Sequence, residues 1–179
     1  MNIIEKILNI FKQEKVDIPL RFWWKGIEVY IPDHLNSELM KQAFDYWQKR
    51  TCGEISFCYV NNAKGADIEV KFVNTLDDNW CSTRRGCCRY KCIITSNGYK
   101  MITNTSIVIP KFEYGDIPLK KDKLYKIMLH EIGHALGLKQ HSKNEESIMY
   151  PYVDEDNKRD ITNEELERLG KLYNIKFET

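Results

Sequence analysis

A chain of 179 residues with 42% apolar and 30% charged residues has the make-up of a folded protein with a sizeable core. Its net charge of +1 gives no electrostatic footing for nucleic acid, and no run approaches the roughly 18 apolar residues of a membrane span. The simplest expectation is one domain over 1–179, acting as a monomer.

Ile3, Ile4, Ile7, Leu8 and Phe11 recur at helical spacing with polar residues between them, so 1–18 reads as an amphipathic helix that Pro19 stops. The same stretch has no basic start, no continuous apolar run and no small-residue cleavage site, which is not the pattern of a secretory signal. Arg21 to Ile31 is aromatic and β-branched and predicts the first strand, with Trp23 and Trp24 as packing residues. Asp33, Asn36 or Ser37 caps a helix running to about Arg50, whose Leu39, Met40, Ala43, Phe44 and Trp47 form one apolar face. Gly53 lets the chain leave it, and His34, without a His or Cys nearby, reads as a surface residue.

Ile55–Val60 and Ala66–Val73 predict two further strands. In the second, Ile68, Val70 and Phe72 alternate with Asp67, Glu69 and Lys71, as in a strand exposed on one side. Residues 74–87 read as a long polar loop, in which Arg84 and Arg85, with Arg89 and Tyr90 beyond, look like a solvated basic face. Cys88–Thr95 and Lys100–Ile109 flank Ser96-Asn97-Gly98-Tyr99 and predict a hairpin.

Six cysteines fall into two groups, Cys52 with Cys58 and Cys81, Cys87, Cys88 with Cys92. Six allow fifteen disulfide pairings, buried thiols are the alternative, and the lack of any CxxC argues against a structural zinc; disulfides are favoured slightly, at least for the second group. Disulfides in the second group would favour an extracellular setting, against the missing signal, so location stays open.

After Pro110 and a loop through Gly115 and Pro118, a helix starts near Lys121 or Asp122 with Leu124, Ile127, Met128, Leu129, Ile132, Ala135 and Leu136 as its buried side. It carries His130 and His134, four apart and therefore on one helix face, where both imidazoles can reach one ion. Glu131 is not a ligand at that offset but can take a proton from a water that the ion activates. Gly137 supplies the left-handed turn that ends the helix, and a third imidazole follows at His141. Thr162 then caps a last helix, with Glu165 completing a capping box and Leu166, Leu169, Leu172 and Tyr173 facing inward.

The stretch HEIGHALGLKQHSKNEESIMYP resembles the metzincin metallopeptidases, in their matrixin-like branch, whose pattern is HExxHxxGxxH followed by a Met-turn. The helix–strand–strand order and the ADIEVKF wording extend the resemblance from about residue 21 onward. One departure stands out: the position of the third ligand holds Gln140, with His141 one residue later. An amide is a poor zinc ligand beside an imidazole, so Lys139-Gln140 is expected to bulge and His141 to bind.

The resemblance implies an α+β, zincin-like fold: a five-stranded twisted mixed sheet with an antiparallel edge strand, an active-site helix, a Met-turn and a C-terminal helix. On that reading 19–179 is the matrixin-like core, and Met149 is the Met-turn residue that packs beneath the metal. Tyr150, Pro151, Tyr152 and Val153 shape a substrate pocket, with Tyr150 also a candidate for a hydrogen bond or weak metal contact. The implied activity is that of a zinc endopeptidase with one catalytic zinc, Glu131 as general base, and an extended peptide laid along edge strand 88–95. A second, structural zinc is not expected, because the chain has no spare His, and calcium is left open. The competing class is a non-catalytic zinc-binding or protein-interaction domain, which has no need of Glu131.

Overall fold

The computed structural model describes residues 26–76, 86–94, 100–113, 117–152 and 158–177. The expected helix over 1–18, Trp23 and Trp24, Cys81, Arg84 and Arg85, the turn at 96–99, Gly115 and Val153 lie outside the described residues.

Five strands form the main sheet: β1 (Ile27–Tyr30), β2 (Phe57–Val60), β3 (Ile68–Val73), β4 (Cys87–Ile94) and β5 (Lys100–Pro110). Their order is β2-β1-β3-β5-β4, parallel except for the β4–β5 pair. The sheet is therefore mixed, with one antiparallel edge strand, in an α+β fold. β1 and β2 run parallel in the register Ile27↔Phe57 because α1 (Ser37–Arg50) carries the chain back between them. β4 slips its register against β5 between Lys91 and Cys92, a bulge that increases local twist along the outer strand.

Apolar side chains at alternating strand positions, Ile27, Val29, Ile68 and Val70, meet the buried faces of the helices. Met40, Ala43, Phe44 and Trp47 are buried on α1 at spacings of three and four, as the sequence predicts. α2 (Lys121–Ala135) runs through the same core and packs on α1, β4 and β5. The Trp47 indole donates to the carbonyl of Leu129 (2.9 Å), which fixes α1 to α2 one residue before His130. α3 (Asn163–Tyr173) closes the fold, and its buried Tyr173 hydroxyl donates to the carbonyl of Leu136 at the end of α2 (3.0 Å).

Two readings of the sequence need correction, and a third, His34 as a surface residue, gains detail. Asp67 is buried, not solvent-facing, because its carboxylate accepts the Glu28 backbone N–H across the sheet (3.1 Å). His34 is half-buried: its ring stacks on Phe72 at 4.3 Å, and its Nδ1 accepts the Asn36 N–H. The loop before α2 contains a short antiparallel pair, β6 (Phe112–Glu113) with β7 (Ile117–Pro118). No helix among the described residues is long and apolar enough to cross a membrane.

Candidate metal centre

α2 ends in a Schellman turn. Gly137, at φ +104°, donates its N–H to His134 O (2.9 Å), and Leu138 N–H reaches back to Gly133 O (3.0 Å). The left-handed angle is open to glycine without a β-carbon clash, so the chain can reverse here and bring the following loop back over the helix. Lys139 N–H then folds onto Gly137 O (2.9 Å), a tight turn that shortens the path to His141.

The result is a cluster of three imidazoles. One ring nitrogen from each of His130, His134 and His141 lies within 4.8 Å of the others. Ring centroids are 4.6 Å apart for His130–His134, 5.2 Å for His130–His141 and 5.1 Å for His134–His141. Gln140 is not part of the cluster; it is exposed, as is His141, and its backbone carbonyl accepts from Arg168 (2.7 Å).

The two helix histidines have their tautomers assigned by their neighbours. His130 Nδ1 is 2.7 Å from Ile148 O, and His134 Nδ1 is 2.7 Å from Leu138 O. A carbonyl can only accept, so each Nδ1 carries the proton and each Nε2 keeps its lone pair. Burial, then the neighbouring His134, pushes His130 down to about 3; burial pushes His134 down to about 4. His141 is lowered as well, by burial and then by Arg168. All three rings are neutral near pH 7, the form in which imidazole donates to a metal. A borderline-soft dication such as zinc fits this donor set, since nitrogen lone pairs suit it and no excess negative charge needs neutralising.

Glu131 lies beside the cluster and is buried, which pushes its carboxyl up to about 8. Gly86, the residue before β4, presses on it: a β-carbon there would sit 2.6 Å from Glu131 Oε1. Under the helix, Met149 is fully buried and occupies the space that a side chain on Gly133 would need.

The loop that carries Met149 is anchored from α3. The fully buried Glu165 accepts from the Ser147 hydroxyl (2.7 Å) and from Thr162 N–H and hydroxyl (2.8 and 2.7 Å). Ser147 in turn accepts the Met149 N–H (2.9 Å). Gly86, Gly133 and the Glu165–Ser147 link were not singled out from the sequence. Gly133 had a legible signal, because glycine inside a helix costs about 1 kcal/mol against alanine and so marks a close approach.

Of the pocket candidates, Tyr150 and Pro151 are half-buried and Tyr152 is exposed. The Tyr150 hydroxyl faces Glu145 Oε1 (3.4 Å), and its ring lies under the Arg159 guanidinium (4.7 Å). Of the cysteines, Cys58 and Cys92 carry free thiols, Cys52 is exposed, Cys87 is buried and Cys88 half-buried.

The sequence profile of the matrixin family, Peptidase M10, matches residues 12–174. The chain belongs to the matrixin family. This matrixin is 47% identical over 51 residues to "Metalloendoproteinase 2-MMP" of Arabidopsis thaliana, a stretch that covers 28% of the chain and 13% of that relative. The chain thus aligns with only a small part of that relative's length. Among solved structures, this matrixin resembles high choriolytic enzyme 1, a hatching-enzyme zinc-protease from Oryzias latipes, at 12% identity and a TM-score of 0.46. That alignment covers 92% of this chain and 97% of the other, a loose likeness that adds nothing to the family match.

Proposed function

We propose that this matrixin is a zinc-dependent endopeptidase in which His130, His134 and His141 hold one zinc ion and Glu131 is the general base. The observation that carries this reading is the convergence of three neutral imidazoles, two of them with Nδ1 committed to backbone carbonyls. When bound, zinc supplies Lewis acidity, which polarises a peptide carbonyl and makes a water more acidic.

The chain's own groups do the rest. Glu131 takes a proton from the attacking water, whose oxygen bonds to the carbonyl carbon. As the C–N bond breaks, Glu131 returns that proton to the departing amine, so no net charge accumulates. Burial keeps this carboxyl protonated up to about 8 in the metal-free protein, and a dication held beside it would favour the carboxylate, the form that accepts the proton. β4 is the outer strand of the sheet, and its backbone can pair with an extended substrate segment and hold it across the site. Met149 packs below and is not a ligand.

The test is cleavage of an unstructured protein by the intact chain, with and without a chelator, beside Glu131→Ala. Wild type should cleave until the chelator is added, and the variant should keep its zinc and its fold while losing cleavage. Full activity in Glu131→Ala, or zinc-loaded wild type that cleaves nothing, would overturn the reading; the second outcome would point to a non-catalytic zinc module.

A further inference from the structure

The chain spends one residue more than the matrixin pattern between Gly137 and its third histidine. A longer connection leaves its end less constrained, and a metal that needs that end must then order it on binding. Yet the residues on both sides of His141 are tied to a single face of α3. On one side, Arg168 Nη2 donates to Gln140 O (2.7 Å). On the other, the Ser142 hydroxyl donates to Glu164 Oε2 (2.8 Å). Arg168 and Glu164 are one helical turn apart, with Nη1 and Oε1 at 3.9 Å, so the two anchors brace each other.

Ser142 is buried and bonded further. Its N–H donates to Met149 O (2.9 Å) and its hydroxyl accepts the Asn144 N–H (3.0 Å). That side is held redundantly. The Gln140 side depends on the Arg168 guanidinium, at the point where the extra residue is accommodated.

We infer that Arg168, braced by Glu164, is the positioning residue that sets His141 against the helix histidines and so fixes how tightly the site holds its ion. This rests on the zinc reading given above. Arg168 needs no contact with metal or substrate; it removes freedom from the ligand-bearing loop before the ion arrives. Partners in this outer layer are commonly worth about 10–100-fold in metal affinity.

The experiment is zinc affinity by chelator competition on the full chain, for wild type, Arg168→Ala, Arg168→Lys, His141→Ala and the Arg168→Ala/His141→Ala pair. Thermal unfolding of each metal-free protein is measured alongside. Arg168→Ala should weaken zinc about 10–100-fold with metal-free unfolding little changed, and Arg168→Lys, which can still donate to the Gln140 carbonyl, should recover much of the loss. With His141 already removed, losing Arg168 should matter less than about threefold, because its effect runs through that ring. Should Arg168→Ala not fold, Glu164→Gln carries the test: it keeps an acceptor for Ser142, removes the bracing charge, and should weaken zinc several-fold.

Unchanged zinc affinity in Arg168→Ala, or an undiminished loss in the His141→Ala background, would overturn the inference while leaving the zinc site standing. Wild type that takes up no zinc would overturn the zinc reading itself.

Discussion

Gly133 and Met149 share a space that only one of them can fill. A β-carbon on Gly133 would run into Met149 Sδ and stand 3.1 Å from Trp47 Cζ2. The helix between His130 and His134 is thus seated on the methionine and clamped by the tryptophan from α1.

Gly133→Ala should therefore destabilise the protein even though alanine is the better helix former. Overpacking of this kind costs about 1–3 kcal/mol, more than the roughly 1 kcal/mol that alanine gains in a helix. Urea unfolding of the metal-free protein measures the difference. In Met149→Ala the added methyl has room, so the double variant should be more stable than the sum of the singles; strict additivity would refute the steric account.

Gly86→Ala is expected to separate catalysis from folding. The new methyl would meet the Glu131 side chain, 2.6 Å from Oε1, 2.8 Å from Cγ and 2.9 Å from Cδ, and a side chain can swing away where backbone cannot. A displaced carboxyl loses its aim at the water, so turnover should fall about 10–100-fold while zinc content and melting temperature stay near wild type. Unaltered turnover would remove Gly86 from the site.

The metal-free protein should lose stability at both ends of the pH range, for opposite reasons. His130 and His134 are held at about 3 and about 4, below the ordinary 6.5. As pH falls below 6.5 the unfolded chain takes up their protons first, so stability that is complete above 6.5 drains down to about 4 for His134 and about 3 for His130. Glu131 runs the other way. Its carboxyl stays protonated in the folded protein up to about 8 against an ordinary 4.5, so its contribution is complete below 4.5 and is lost as pH rises towards 8. Glu131→Gln cannot ionise, and its stability relative to wild type should climb between pH 5 and 8 in denaturant titrations. A constant offset across that interval would contradict the assignment.

What the sequence disclosed were features set by nearest neighbours along the chain. A four-residue spacing put His130 and His134 on one helix face, Gly137 announced the reversal, and Thr162 with Glu165 announced the last helix. Strand alternation located β3 but misjudged Asp67, because the N–H it satisfies belongs to Glu28, thirty-nine residues earlier. The insertion of β1 between β2 and β3 is likewise invisible in any window of sequence. The bonds that hold the third histidine's loop span long separations too, Arg168 to Gln140 and Glu165 to Ser147, and no periodicity marks them. Glu165 had a local explanation as part of a helix cap, and only tertiary contact revealed its second bond, to Ser147.

The carbonyls that receive His130 and His134 are themselves fixed, since Ile148 N–H is bonded to Asp160 O (2.7 Å) and Leu138 N–H to Gly133 O (3.0 Å). The two rings consequently keep their aim when nothing sits between them. On the zinc reading, those two positions need no rebuilding around a returning ion, so recovery after a chelator should keep pace with the arrival of ions, at a rate proportional to their concentration.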